Sequence, residues 1–142
     1  MAAAVAEKEV KQAIEARNAA LGAKDVAGVM ASGYAGFVAY SMAPPLKSQG
    51  GKAGLAAWFD TWDGAIGLAT KDLKVTAGDD LAFASCLMRM TGRKTDGEVI
   101  DMWHRQTFGL KRVRGAWKIL HEHSSVPFYM DGSLRAAVDL EP

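Results

Sequence analysis

Two histidines and an arginine are the side chains of this sequence best suited to chemistry. His121 and His123 sit two residues apart, and on a strand that spacing turns both to one face. Simple alternation puts Trp117, Ile119 and Ser125 on that face and Leu120, Glu122 and Ser124 on the other. Either face can line a cavity, and alternation alone does not choose between them. An imidazole exchanges a proton near neutral pH, so either histidine can act as a general acid or base. Arg105 shares a face with Asp101, Trp103 and Thr107. Its planar fork suits a carboxylate or enolate oxygen held by parallel hydrogen bonds. The plainer roles are structural: hydrogen-bonded histidines at a strand end, and an Asp101–Arg105 ion pair on a dimer face.

Whether these groups meet depends on the hairpin that joins their strands. One register sets Arg105 opposite His123 and Thr107 opposite His121. A slip of one residue sets Arg105 opposite Ser124 and Phe108 opposite His121, and reverses which side chains converge. Tyr40 adds a phenol that can donate to an oxyanion or simply fill a strand position. Trp58, Phe59 and Trp62 form an aromatic stripe, core first and cavity wall second, with Trp62 near a helix end and best placed to touch a ligand.

Several other chemistries are disfavoured. His-x-His is a common metal-ligand spacing, but His104 faces away from Arg105 and Glu122 faces away from the histidine pair, so no metal site is expected. Cys86 lies among Ala84, Ser85, Leu87 and Met88, with no cation or base beside it to make a thiolate. A buried structural thiol is expected. Lys111, Arg112 and Arg114 sit at a hairpin turn, where charge keeps an edge soluble. Without interleaved aromatics they do not suggest nucleic-acid binding. Gly50-Gly51-Lys52 lacks the spacing of a phosphate loop.

The elements that must position these residues follow from periodicity. Val10, Ile14 and Leu21, with Ala13 and Ala20 beside them, make one helical stripe, which Gly22 closes. Asp25 can cap a short second helix that ends at Gly33. Phe37 to Met42 reads as a strand stopped by Pro44-Pro45. Leu55, Trp58, Phe59 and Trp62 predict a third helix. The remainder alternates strands and turns: 73–76, 81–90, 98–110 and 117–126. Helices come first and strands later, with one strand among the helices, which indicates an α+β domain rather than an α/β one.

The bulk composition fits one domain over residues 1–142. Charged residues make up 23% and hydrophobic ones 49%, with a net charge of +1, so no overall field draws the chain to nucleic acid or to an anionic membrane. A single cysteine excludes an internal disulfide, and Glu7, Lys8 and Glu9 interrupt any apolar leader. No stretch approaches a membrane span. A cytoplasmic protein is expected.

The string Gly115-Ala116-Trp117-Lys118-Ile119-Leu120-His121-Glu122-His123-Ser124-Ser125, preceded by Arg105-Gln106-Thr107-Phe108, resembles the terminal hairpin of SnoaL-like proteins of the NTF2-like superfamily, which includes the ketosteroid isomerases. It is also similar to the association domain of calmodulin-dependent protein kinase II. Pro44-Pro45-Leu46 and Gly50 before a Trp-rich helix fit the same group. The resemblance implies a cone-shaped barrel, with a strongly curved antiparallel sheet wrapped around three N-terminal helices. It also implies a homodimer with a cavity at the wide end, and no cofactor. The isomerases of that fold use an aspartate base near the early strand, but here residues 37–43 contain no carboxylate.

The first expectation is therefore a binding domain for a small hydrophobic molecule with a carbonyl or carboxylate end. Arg105 would hold the anion, His123 and Tyr40 would hydrogen-bond, and Trp58, Trp62, Asp101 and Trp103 would line the site. An acid–base enzyme with His123 or His121 as base is the alternative, and an assembly domain is the third.

Overall fold

A computed structural model describes residues 2–142. The elements run α1 (Ala2–Gly22), α2 (Val26–Ser32), β1 (Gly33–Tyr40), α3 (Lys52–Phe59), β2 (Trp62–Ala77), β3 (Leu81–Lys94), β4 (Val99–Val113) and β5 (Ala116–Ser125). Asp25 caps α2, its carboxylate accepting from the Gly28 N–H at 3.0 Å, and Gly33 ends that helix.

The strands form one curved, open, five-stranded sheet in the order β1-β5-β4-β3-β2. Four strands make an antiparallel meander. The fifth, β1, lies parallel to β5, with Val38, Ala39 and Tyr40 opposite His121, Glu122 and His123. The sheet is thus mixed, not wholly antiparallel as expected. β1 runs in the same direction as β5, so the two pair in parallel.

Two further expectations need correcting, the place of Trp62 in the third helix and the start of the next strand at residue 73. Trp62 is not in the third helix. That helix ends at Phe59, and Trp62 opens β2, which runs unbroken to Ala77. Its ladder with β3 shifts register between Asp63 and Gly67 and again between Lys71 and Lys74. Such bulges bend and twist a long strand, and they disguise it in the sequence. Gly92 is required opposite: a Cβ there would meet the Trp62 ring at 2.7 Å.

The helices cover one face of the sheet, the inner face. Ala6, Val10 and Ile14 of α1 pack on Ala84, Cys86 and Met88 of β3, Phe108 and Leu110 of β4, and Trp117 and Ile119 of β5. A second cluster joins Leu21, Phe59, Trp62 and Ile66. Burial raises the Cys86 thiol to about 11, so it stays protonated at neutral pH, as its apolar neighbours predict.

Candidate functional site

The hairpin register differs from both alternatives read from the sequence. Arg105 pairs with Ser125, Thr107 with His123 and Gly109 with His121. The pairing shifts between Gly109 and Leu110, because Leu110 pairs with Ile119 and Leu120 is left over. This bulge reverses the alternation partway along β5. Trp117 and Ile119 are inner, as are Glu122 and Ser124, whereas His121, His123 and Ser125 are outer. The predicted common face of Trp117, Ile119 and the two histidines is therefore broken by one extra residue.

Back to back, β4 and β5 carry two polar clusters. The outer one gathers several of the residues singled out by type and spacing. The Tyr40 ring stands edge-on to those of His121 and His123, with centroids 4.8 Å and 5.4 Å away. His121 donates from Nδ1 to the Val38 carbonyl at 2.7 Å. Arg105 donates to Ser125 Oγ at 3.0 Å. The expected Asp101–Arg105 pair does not form. Asp101 sits beside Trp103 in the row next to Arg105 and pairs instead with Arg89, at 2.8 Å for both bonds. That partner holds the Asp101 carboxyl below its ordinary range. A shallow depression of about 310 Å³ along β2, β3 and β4 is lined by Asp72 and Lys74, by Ser85, Cys86 and Leu87, and by Arg105, Gln106 and Thr107.

Trp58 and Trp62 are not with this group. They stack edge-on at 5.6 Å in the second apolar cluster, with the Lys94 ammonium 4.1 Å from the Trp62 ring centroid. Trp62 Nε1 is buried there without a partner.

The inner cluster was not anticipated. Arg17 interrupts the apolar stripe of α1, three residues after Ile14 and four before Leu21, and is buried. Its Nη2 donates to both Glu122 oxygens at 2.9 Å and its Nη1 to Asn18 at 2.9 Å. The guanidinium lies 5.5 Å from the Phe108 ring centroid. Beside it, His104 and Gln106 alternate with Phe108 along β4, all three buried. His104 donates from Nδ1 to the Arg105 carbonyl. Burial, aided by the Arg17 charge, lowers its pKa, so it is neutral at pH 7.

Gln106 is only 2% exposed. Its Oε1 accepts from the Ser124 hydroxyl, and its Nε2 has no partner. Turning the amide over would orphan the oxygen instead. Arg17, His104, Gln106, Glu122 and Ser124 thus form a polar seam where α1 passes from one apolar cluster to the other. Glu122 keeps 16% of its side chain exposed, so the seam reaches solvent at one end. The sequence signal was available: an arginine at core spacing on a helix, and a histidine and a glutamine at core spacing on a strand.

The SnoaL-like domain family matches residues 10–129, and the chain belongs to that family, within the NTF2-like superfamily. Among solved structures it is similar to an NTF2-like protein of unknown function from Pseudomonas putida KT2440, at 30% identity over 98% of both chains with a TM-score of 0.86. It also resembles a ketosteroid isomerase-like protein from Erwinia carotovora atroseptica, at 22% identity over 84% and 94% of the two chains with a TM-score of 0.65. A third likeness is to a protein proposed as a calcium/calmodulin dependent protein kinase II association domain, from Xanthomonas campestris, at 21% identity over 82% and 84%, TM-score 0.69. These confirm the α+β cone fold read from the terminal hairpin. No curated protein matches the chain. No described helix is long and apolar enough to cross a membrane.

Proposed function

We propose that this domain binds a small hydrophobic molecule bearing a carbonyl or carboxylate, and that the inner seam holds its polar end. The observation that carries the reading is the Gln106 amide, buried with one polar atom unpaired. An orphan donor inside an apolar wall costs about 1–3 kcal/mol unless something accepts from it, and a ligand carbonyl is such an acceptor. Arg17 lies alongside to hold an anionic end in exchange for part of its contact with Glu122, and Phe108, beside the guanidinium, and Met88 belong to the buried apolar cluster next to it. Apolar walls with a few convergent polar groups are the usual form of such sites.

The test is native mass spectrometry of the purified protein, with any small molecule released and weighed, on wild type, Gln106→Leu and Arg105→Ala. The reading expects a bound molecule in wild type and Arg105→Ala and its loss in Gln106→Leu. Loss in Arg105→Ala alone would move the site to the outer face, where Arg105, His123, His121 and Tyr40 would be its residues.

A second reading, acid–base catalysis on a carbonyl compound, is favoured by one observation: neutral His104 and ionised Glu122 border the same seam as a fixed cation. A proton taken from carbon leaves an enolate, and Arg17 would stabilise it. Turnover abolished by both His104→Gln and Glu122→Gln, with substrate still bound, is the result that reading requires.

A further inference from the structure

Strand pairing gathers Tyr40, His121 and His123 on the outer face, and their chemistry is that of a metal site. His-x-His supplies two imidazoles on one side of a strand. No third His, Cys, Asp or Glu joins them among the described residues. The third donor comes from β1, whose parallel register sets Val38 opposite His121 and Tyr40 opposite His123. Ala39, between them, is buried, so Val38 and Tyr40 face outward with the histidines.

The three rings are mutual neighbours. Tyr40 lies 4.8 Å and 5.4 Å from the two imidazoles, which are 6.4 Å from each other, centroid to centroid. The His121 ring is already oriented as a ligand must be. Its Nδ1–H is spent on the Val38 carbonyl, and a metal-binding histidine characteristically gives one ring N–H to such a carbonyl while the other nitrogen takes the ion. Its partner on β4 is Gly109, so no side chain there crowds the imidazole. His123 is exposed and can turn. Two imidazoles on one ion, at about 2.0–2.1 Å per bond, require the rings to approach by roughly 1 Å, which a small rotation of His123 supplies.

Two imidazoles and a phenol select among cations. Magnesium and calcium ions take oxygen ligands, whereas imidazole suits divalent zinc, nickel and copper, with copper bound tightest. Arg105 is diagonal to His123 and repels a cation, but its guanidinium is tied to Ser125. We propose that this face binds one late first-row divalent metal ion through His121 Nε2, the His123 imidazole and the Tyr40 oxygen, with water in the remaining positions. The phenol proton passes to solvent as the metal–oxygen bond forms. Such an ion pins β1, at the edge of the sheet, to β5. The site lies on the opposite face from the seam and does not depend on the seam's ligand.

Copper(II) and zinc(II), added to the full chain, test it. One equivalent of copper should give a paramagnetic resonance spectrum with nitrogen couplings and a phenolate-to-copper charge-transfer absorption, and Tyr40→Phe should abolish that absorption. By calorimetry, zinc should bind one ion per chain, at least about tenfold more weakly in His123→Ala and no more weakly in Arg105→Ala. Zinc should raise the unfolding temperature of wild type but not of His123→Ala, whose metal-free unfolding should match wild type. No zinc binding, zinc affinity unchanged in His123→Ala, zinc affinity lowered in Arg105→Ala, or a copper complex without the charge-transfer absorption would each overturn the assignment.

Discussion

The two faces of β4 and β5 carry similar residue types with different physics. Outside, arginine, histidines, serine and threonine stand in a row beside Tyr40, open enough for water to satisfy them. Inside, arginine, histidine, glutamine, glutamate and serine are held between a helix and a sheet, where every partner must be supplied by the protein or by something bound. Position relative to α1, rather than the inventory of functional groups, decides which cluster is costly to disturb and which can be rearranged.

The largest expected difference is at the two arginines. Arg17→Ala leaves Glu122 a poorly hydrated, unpaired charge and should destabilise the fold by about 3–5 kcal/mol in urea unfolding. If Arg17→Ala proves as mild as a surface change, the contrast between the faces collapses.

Acidification should reveal the same contrast. The native His104 pKa is depressed, chiefly by burial, so below about 6.5, the ordinary value, the unfolded chain binds more protons than the folded one. Its contribution to stability is therefore present above that pH and is lost as pH falls through the window beneath it. The stability–pH curve of His104→Gln should be flatter there.

Gln106→Leu removes an orphan donor but strands the Ser124 hydroxyl, and the two effects should nearly cancel, within about 1 kcal/mol. A loss much beyond that would mean the amide already has a partner. Arg105→Ala, the smallest effect, should change protomer stability by no more than about 0.5 kcal/mol, and native mass spectrometry should find its ligand occupancy intact. Cys86, with its thiol raised to about 11, should resist alkylation at pH 8 until the chain is unfolded.

Much of the architecture was legible because it is written in local periodicity. The stripe of α1, the Asp25 cap and the terminal hairpin all follow from residues close together in the chain. What was missed depends on distant pairing. The start of β2, Trp62-Asp63-Gly64-Ala65, lacks β-branched residues and continues the spacing of the preceding helix, so only its ladder with β3 declares it a strand. The parallel placement of β1 joins segments about eighty residues apart, as the Val38–His121 pair shows. At the site, Arg17 was readable from its spacing on α1, but its partner was not. Simple alternation put Glu122 opposite Trp117 and Ile119, and nothing near Leu120 in the sequence announces the bulge that brings Glu122 to their face.

That bulge makes alternation along β5 behave like a reading frame. Leu120 is an inserted letter. Omit it, and Trp117, Ile119, Glu122 and Ser124 fall in one phase while Lys118, His121, His123 and Ser125 fall in the other. The sheet absorbs the insertion where it occurs instead of passing it down the strand, and so the half of β5 that follows keeps its phase. A chain lacking Leu120 should therefore keep Glu122 on Arg17, whereas a second insertion beside it would send the carboxylate to water and draw a histidine into the core.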